Sequence, residues 1–151
     1  YATIPHLWRV LENIFVERRY YTYKNCLTFD RDKILLPNGM RLMYPNLRIE
    51  QGQLTYNTMR GQETTWGGRL TENAVQALSR IIITDAMDKI RRELPEYRIA
   101  LTVHDEVVIV GPDTNPEETM EHIIECMVAA PDWCKEIPLD AEGGYDLSYS
   151  K

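Results

Sequence analysis

The stretch Leu101-Thr102-Val103-His104-Asp105-Glu106-Val107-Val108-Ile109-Val110 sets three polar residues between two apolar, largely β-branched runs. Such runs favour strands, and the polar interruption has the length of a tight turn. The pattern predicts a strand, a turn at His104-Asp105 and a second strand running back. A turn there holds the Asp105 carboxylate on rigid support at an exposed end of a sheet. Two-metal phosphoryl transfer needs hard oxygen ligands for Mg²⁺ fixed in this way. His104 can donate to a phosphate or a sugar from the same turn. An ordinary solvent-exposed hairpin turn uses the same residue types, and from these ten residues alone both readings stay open.

Just upstream lies the longest helical pattern, residues 69–94. Ala74, Val75, Leu78, Ile81, Ile82, Ala86, Ile90 and Leu94 form an apolar stripe, and Pro95 stops it. Arg69, Asn73, Gln76 and Arg80 follow one another at helical spacing and share one face. Guanidinium groups bind phosphates and groove acceptors, and amides both donate and accept, so the row suits a nucleic-acid minor groove. A solvated helix face is the plainer alternative.

Further out, residues 3–20 read as an amphipathic helix, with Thr3 as cap and Pro5 in the first turn. Residues 20–33 read as loop-rich. Residues 34–57 read as short hairpins turning at Asn38-Gly39 and Gln51-Gly52. The glycines of 58–68 suggest a loop. Asn115-Pro116 starts a helix to about Ala130 with Glu117 and Glu118 in its first turn, and Ile137–Glu142 reads as a last strand. Trp8, Trp66 and Trp133 read as packing residues rather than base-stacking platforms. The expectation is an α+β fold with helices packed on an antiparallel sheet.

The net charge of −6 argues against a simple nucleic-acid-binding domain, but the charge is unevenly spread. Residues 1–98 hold 15 of the 17 Lys and Arg, whereas residues 99–151 hold 12 of the 23 Asp and Glu. A basic half can touch phosphates, and an acidic half can hold divalent cations or face water. Three cysteines without a CxxC spacing argue against disulfides and a structural zinc, and fit a reducing cytoplasm. No apolar run approaches the roughly 18 residues that span a membrane. At 151 residues the chain is too short for a complete template-directed polymerase, and its start at Tyr1 suggests that something upstream is missing or removed, as in a split subunit or a truncated fragment.

Four blocks in order resemble family A (DNA polymerase I-like) DNA polymerases, the phage-type members above all. They are His6-Leu7-Trp8-Arg9-Val10-Leu11-Glu12, then Leu36–Pro45, then Gly68-Arg69-Leu70-Thr71-Glu72-Asn73-Ala74-Val75-Gln76-Ala77-Leu78-Ser79-Arg80, then Val103-His104-Asp105-Glu106. The ending Ile137-Pro138-Leu139-Asp140-Ala141-Glu142-Gly143 resembles that family's C-terminus. The resemblance implies a C-terminal palm and fingers fragment, with residues 1–68 ending the fingers region as a helix and short β-hairpins. Residues 69–151 then form the C-terminal part of a palm-type antiparallel sheet.

It also implies roles. Asp105 matches the catalytic, metal-binding aspartate of the third polymerase motif, Glu106 the accessory carboxylate beside it, and His104 the histidine that contacts the primer end. Gln76 matches the helix glutamine that touches the minor groove, with Asn73, Arg69 and Arg80 as further DNA contacts. Asn73 stands three residues before Gln76, in the Glu-Asn-x-x-Gln form of phage-type enzymes.

The first motif of that family, which supplies the second metal-binding aspartate, has no counterpart; Asp30, Asp32 and Asp140 lie in other contexts. The implied cofactor is Mg²⁺ at a two-metal site that this chain supplies only in part. The implied partners are primer-template DNA, deoxynucleoside triphosphates, and an upstream segment or separate chain carrying the first aspartate. Alone, the chain is expected to be inactive. The alternative is a non-catalytic DNA-binding or scaffold module derived from a polymerase palm.

Overall fold

The computed structural model describes residues 3–149, the side chain of Thr3 excepted, so the expected Thr3 cap lies outside the described residues. The chain divides into two compact units, Tyr1–Ser79 and Arg80–Lys151. Among the described residues it is α+β, with three α-helices and antiparallel sheets, as the sequence predicts. No helix among them is long and apolar enough to cross a membrane.

In the first unit, helix α1 (Thr3–Val16) buries Leu11, Ile14 and Phe15. It ends four residues before the predicted Tyr20. Arg18 takes φ 51°, the Arg18 amide donates to the Phe15 carbonyl (3.2 Å), and the Arg19 amide donates to the Ile14 carbonyl (3.0 Å). This double closure usually relies on glycine. With arginine in the left-handed position, the sequence carries no sign of the stop.

The segment read as loop-rich forms strands β1 (Tyr21–Tyr23) and β2 (Leu27–Asp30). Their turn places Lys24 and Asn25 at positive φ, and the next turn does the same with Arg31. Neither turn contains the glycine that would have marked it. Strands β3 (Lys33–Leu35) and β4 (Arg41–Met43) complete a four-stranded meander in the order β1-β2-β3-β4. Phe29 pairs with Ile34 across β2 and β3, and both side chains are fully buried. Phe15 meets Phe29 and Tyr44 edge to face, at 5.7 and 5.9 Å between ring centroids, which ties α1 to this sheet.

A second meander joins β5 (Arg48–Glu50), β6 (Gln53–Thr58) and β7 (Gly61–Thr65). The turn at Gln51-Gly52 has positive φ at both residues, as the hairpin reading requires. β7 corrects the expectation of a loop over 58–68. Only Gly61 belongs to the strand, whereas Gly67 and Gly68 open helix α2 (Gly67–Glu93).

Leu70 and Ala74 bury their side chains in the first part of α2, and Ile81, Ala86 and Ile90 do so in the part belonging to the second unit. Val75, expected in the apolar stripe, is 55% exposed.

The second unit adds β8 (Arg98–Val103), β9 (Glu106–Val110) and α3 (Pro116–Val128). Among the described residues β8 and β9 pair only with each other, and none of their own residues is fully buried. α3 starts at Pro116 with Glu117 and Glu118 in its first turn, as predicted. It stops at Val128, and a single 3₁₀ turn follows at Asp132–Cys134. Residues 137–142 are not a strand. Strand structure needs a ladder partner, and residues 137–142 have none among the described residues.

Candidate functional site

The sequence around Asp105 folds as its pattern dictates. Val103 pairs with Glu106, so the hairpin loop is just His104 and Asp105. The two strands, rich in β-branched residues, pair in register from Arg98–Val110 to Val103–Glu106, with one irregularity between Ile99 and Leu101. His104 sits at φ 55°, a left-handed conformation uncommon outside glycine, asparagine, aspartate and histidine. His104, Asp105 and Glu106 are all exposed. No ion pair or side-chain hydrogen bond among the described residues occupies the Asp105 carboxylate.

In the first part of α2, Arg69 and Gln76 are exposed. The Gln76 amide nitrogen donates to Glu72 (3.3 Å), one helical turn back. Asn73 is half-buried, and its amide nitrogen donates to the Tyr44 hydroxyl (3.0 Å). Tyr44 is only 3% exposed, and burial pushes its hydroxyl up in pKa, partly offset by the Asn73 bond. Asn73 therefore ties α2 to the first unit's core, a role the spacing rule did not foresee. Arg80 is exposed and belongs to the second unit. Tyr44→Phe is expected to lower stability by about 1 kcal/mol, the usual worth of such a bond. Urea unfolding with an unchanged slope checks it.

The structure also gathers three side chains that were not singled out as a site from the sequence. Glu93 ends α2, and His122 and Cys126 lie one turn apart on α3. His122 Nε2 is 2.8 Å from Glu93 Oε2, and Cys126 Sγ donates to the same oxygen at 3.6 Å. Burial, and then the Glu93 charge, push the Cys126 thiol up in pKa. The spacing His122-x-x-x-Cys126 is legible on a helix, but the third member comes from an element 29 residues away from His122 in sequence.

The chain is similar to a DNA polymerase of Bacillus phage SP02. The two are 30% identical over an alignment that covers 89% of this chain and 22% of the phage polymerase. The chain thus spans about a fifth of that polymerase's length. No family model and no solved structure matches.

A polymerase relationship raises the question of whether Asp105 and Glu106 fit a divalent ion. Their oxygens are the right donors for Mg²⁺. Among the described residues, however, no third carboxylate, His or Cys joins them in a group close enough to share an ion. The residues fit part of a hard-metal site and leave the rest to ligands from elsewhere.

Proposed function

We propose that this chain is the C-terminal palm and fingers portion of a family A-type, template-directed DNA polymerase, a nucleotidyltransferase. In this reading Asp105 is one of two catalytic, metal-binding aspartates. The observation that carries it is the Asp105 carboxylate, exposed and without a partner among the described residues at the tip of a two-residue hairpin turn, in a chain related to a phage DNA polymerase. A carboxylate on so short a turn is rigidly held and free to accept a ligand bond, which a metal-binding aspartate requires. Leu101 and Val110, 44% and 61% exposed on the same hairpin, support a sheet that further strands complete.

The residues divide the work by their chemistry. Asp105 supplies an oxygen ligand, and Glu106, first in β9, supplies a second carboxylate beside it. His104 donates a hydrogen bond to the primer terminus from the same turn. Gln76 accepts and donates at minor-groove edges, which differ little between A·T and T·A, as suits an enzyme that must accept every pair. Arg69 and Arg80 bind phosphates. Asp105, with the aspartate of an upstream segment, would hold Mg²⁺, whose chemistry when bound is to activate a hydroxyl and neutralise phosphate charge.

The test is Mg²⁺-dependent primer extension by this chain alone and mixed with an upstream segment that carries the first-motif aspartate. Extension is expected only in the mixture. A mixture that assembles on DNA yet extends nothing would replace the catalytic reading with a non-catalytic palm-derived module.

A further inference from the structure

We propose that Glu93, His122 and Cys126 form a binding site for a zinc-class divalent ion that clamps α3 to the end of α2. One ligand atom from each lies within 4.8 Å of the other two, and Glu93 Oε2 is 2.8 Å from His122 Nε2 and 3.6 Å from Cys126 Sγ. A helix-to-helix Glu–His pair would account for the 2.8 Å contact between the first two. It does not account for a thiol directed at the same carboxylate oxygen.

Tetrahedral Zn²⁺ geometry accounts for all three. With Zn–S near 2.3 Å and Zn–N and Zn–O near 2.0 Å, sulfur and oxygen lie about 3.5 Å apart and nitrogen and oxygen about 3.3 Å apart. The first separation is 3.6 Å here, and the second needs only to open from 2.8 Å. His122 and Cys126 are four residues apart on one helix and face the same way.

The surroundings agree. The other ring nitrogen of His122, Nδ1, lies 3.9 Å from Glu125, so a small side-chain turn gives the carboxylate–histidine arrangement common behind zinc ligands. Cys126 is buried, whereas the Glu93 and His122 side chains are about 40% exposed. The fourth position therefore faces water. A cleft lined by Asp85, Lys89 and Arg92 also reaches Cys126.

The donor set selects the ion. Thiolate and imidazole favour zinc, cobalt and their neighbours, and disfavour Mg²⁺. Binding exchanges the Cys126 S–H bond for a metal–sulfur bond and releases its proton to solvent. The absence of a CxxC pair had argued against structural zinc, but a mixed donor set needs no such pair. The inference stands whether or not the chain belongs to a polymerase.

Co²⁺ titration of the whole chain, purified free of metal, tests it. One equivalent is expected to give a thiolate-to-cobalt charge-transfer band with tetrahedral visible absorption. Zn²⁺ should displace it, whereas excess Mg²⁺ should not. The band should vanish in Cys126→Ser and His122→Gln and persist in Cys26→Ser. Cys126 is buried and its variant can misfold, so His122→Gln, at a half-exposed position, carries the decision. Zn²⁺ should raise the melting temperature of the natural chain and leave that of His122→Gln unchanged. No thiolate band in the natural chain, or an undiminished band in His122→Gln, would leave only a hydrogen-bonded Glu–His pair and overturn the proposal.

Discussion

Asp105→Ala is expected to reduce Mg²⁺-dependent primer extension by the reconstituted assembly about 10³-fold while leaving its DNA affinity nearly unchanged. The magnitude follows from the role. Metal-held charge stabilisation contributes several kcal/mol to a phosphoryl-transfer transition state, and each 1.36 kcal/mol is about tenfold in rate. The side chain is exposed and makes no ion pair or hydrogen bond among the described residues, so its loss removes no fold-stabilising contact. Stability should therefore stay within about 0.5 kcal/mol, as for ordinary surface changes. Asp113→Ala is the matched control, an exposed carboxylate in the same unit but away from the hairpin tip. It should leave extension intact. Full activity in Asp105→Ala would remove the carboxylate from the chemistry and leave the hairpin turn as a plain turn.

The contrast between these two carboxylates shows what was legible in the sequence. The strand–turn–strand around Asp105 could be read because apolar β-branched residues flank it on both sides, and the turn has room for only two residues. The hairpins at Asn38-Gly39 and Gln51-Gly52 were legible because glycine marked the left-handed position. Where Arg18, Lys24, Asn25 and Arg31 take that position instead, the end of α1 and the first two strands were hidden. A short strand such as β2 gets its stability from pairing with β1 and β3 and from Phe29 packing on Phe15 of α1, none of which its own four residues reveal. The expected strand over 137–142 failed for the converse reason, a strand-like pattern without a ladder partner.

The candidate residues divide in the same way. The spacing of Arg69, Asn73 and Gln76 puts them on one face of α2, but spacing says nothing about what the face meets. Arg69 and Gln76 face outward, whereas Asn73 turns to Tyr44, which is 29 residues earlier in the chain. The Glu93–His122–Cys126 group was invisible for the same reason. His122 and Cys126 are a legible pair, but only tertiary packing brings Glu93 to them.

Gly67→Ala should destabilise the first unit by about 3 kcal/mol, against the direction that helix propensity gives. Alanine is favoured over glycine in helices by about 1 kcal/mol, so propensity alone forecasts a gain at this first residue of α2. The packing forbids it. A Cβ at Gly67 would lie 2.0 Å from the Trp8 carbonyl oxygen, 2.6 Å from its carbonyl carbon and 2.9 Å from its Cα. All three are backbone atoms of α1 and cannot swing aside by a change of rotamer. Relief requires moving α1, whose Leu11, Ile14 and Phe15 are buried in the core. Overpacking of this kind costs typically 1–3 kcal/mol and occasionally more. Gly68→Ala is the informative neighbour. Its Cβ would meet the Trp66 ring at 2.1 Å, but Trp66 is a side chain 52% exposed and can turn away. Its expected loss is about 1 kcal/mol or less, since one exposed side chain changes rotamer. Denaturant unfolding of both variants separates the two cases by their midpoints at a common slope. Equal midpoints for the two, or a Gly67→Ala chain as stable as the parent, would mean that the approach of α1 to α2 is looser than 2.0 Å implies.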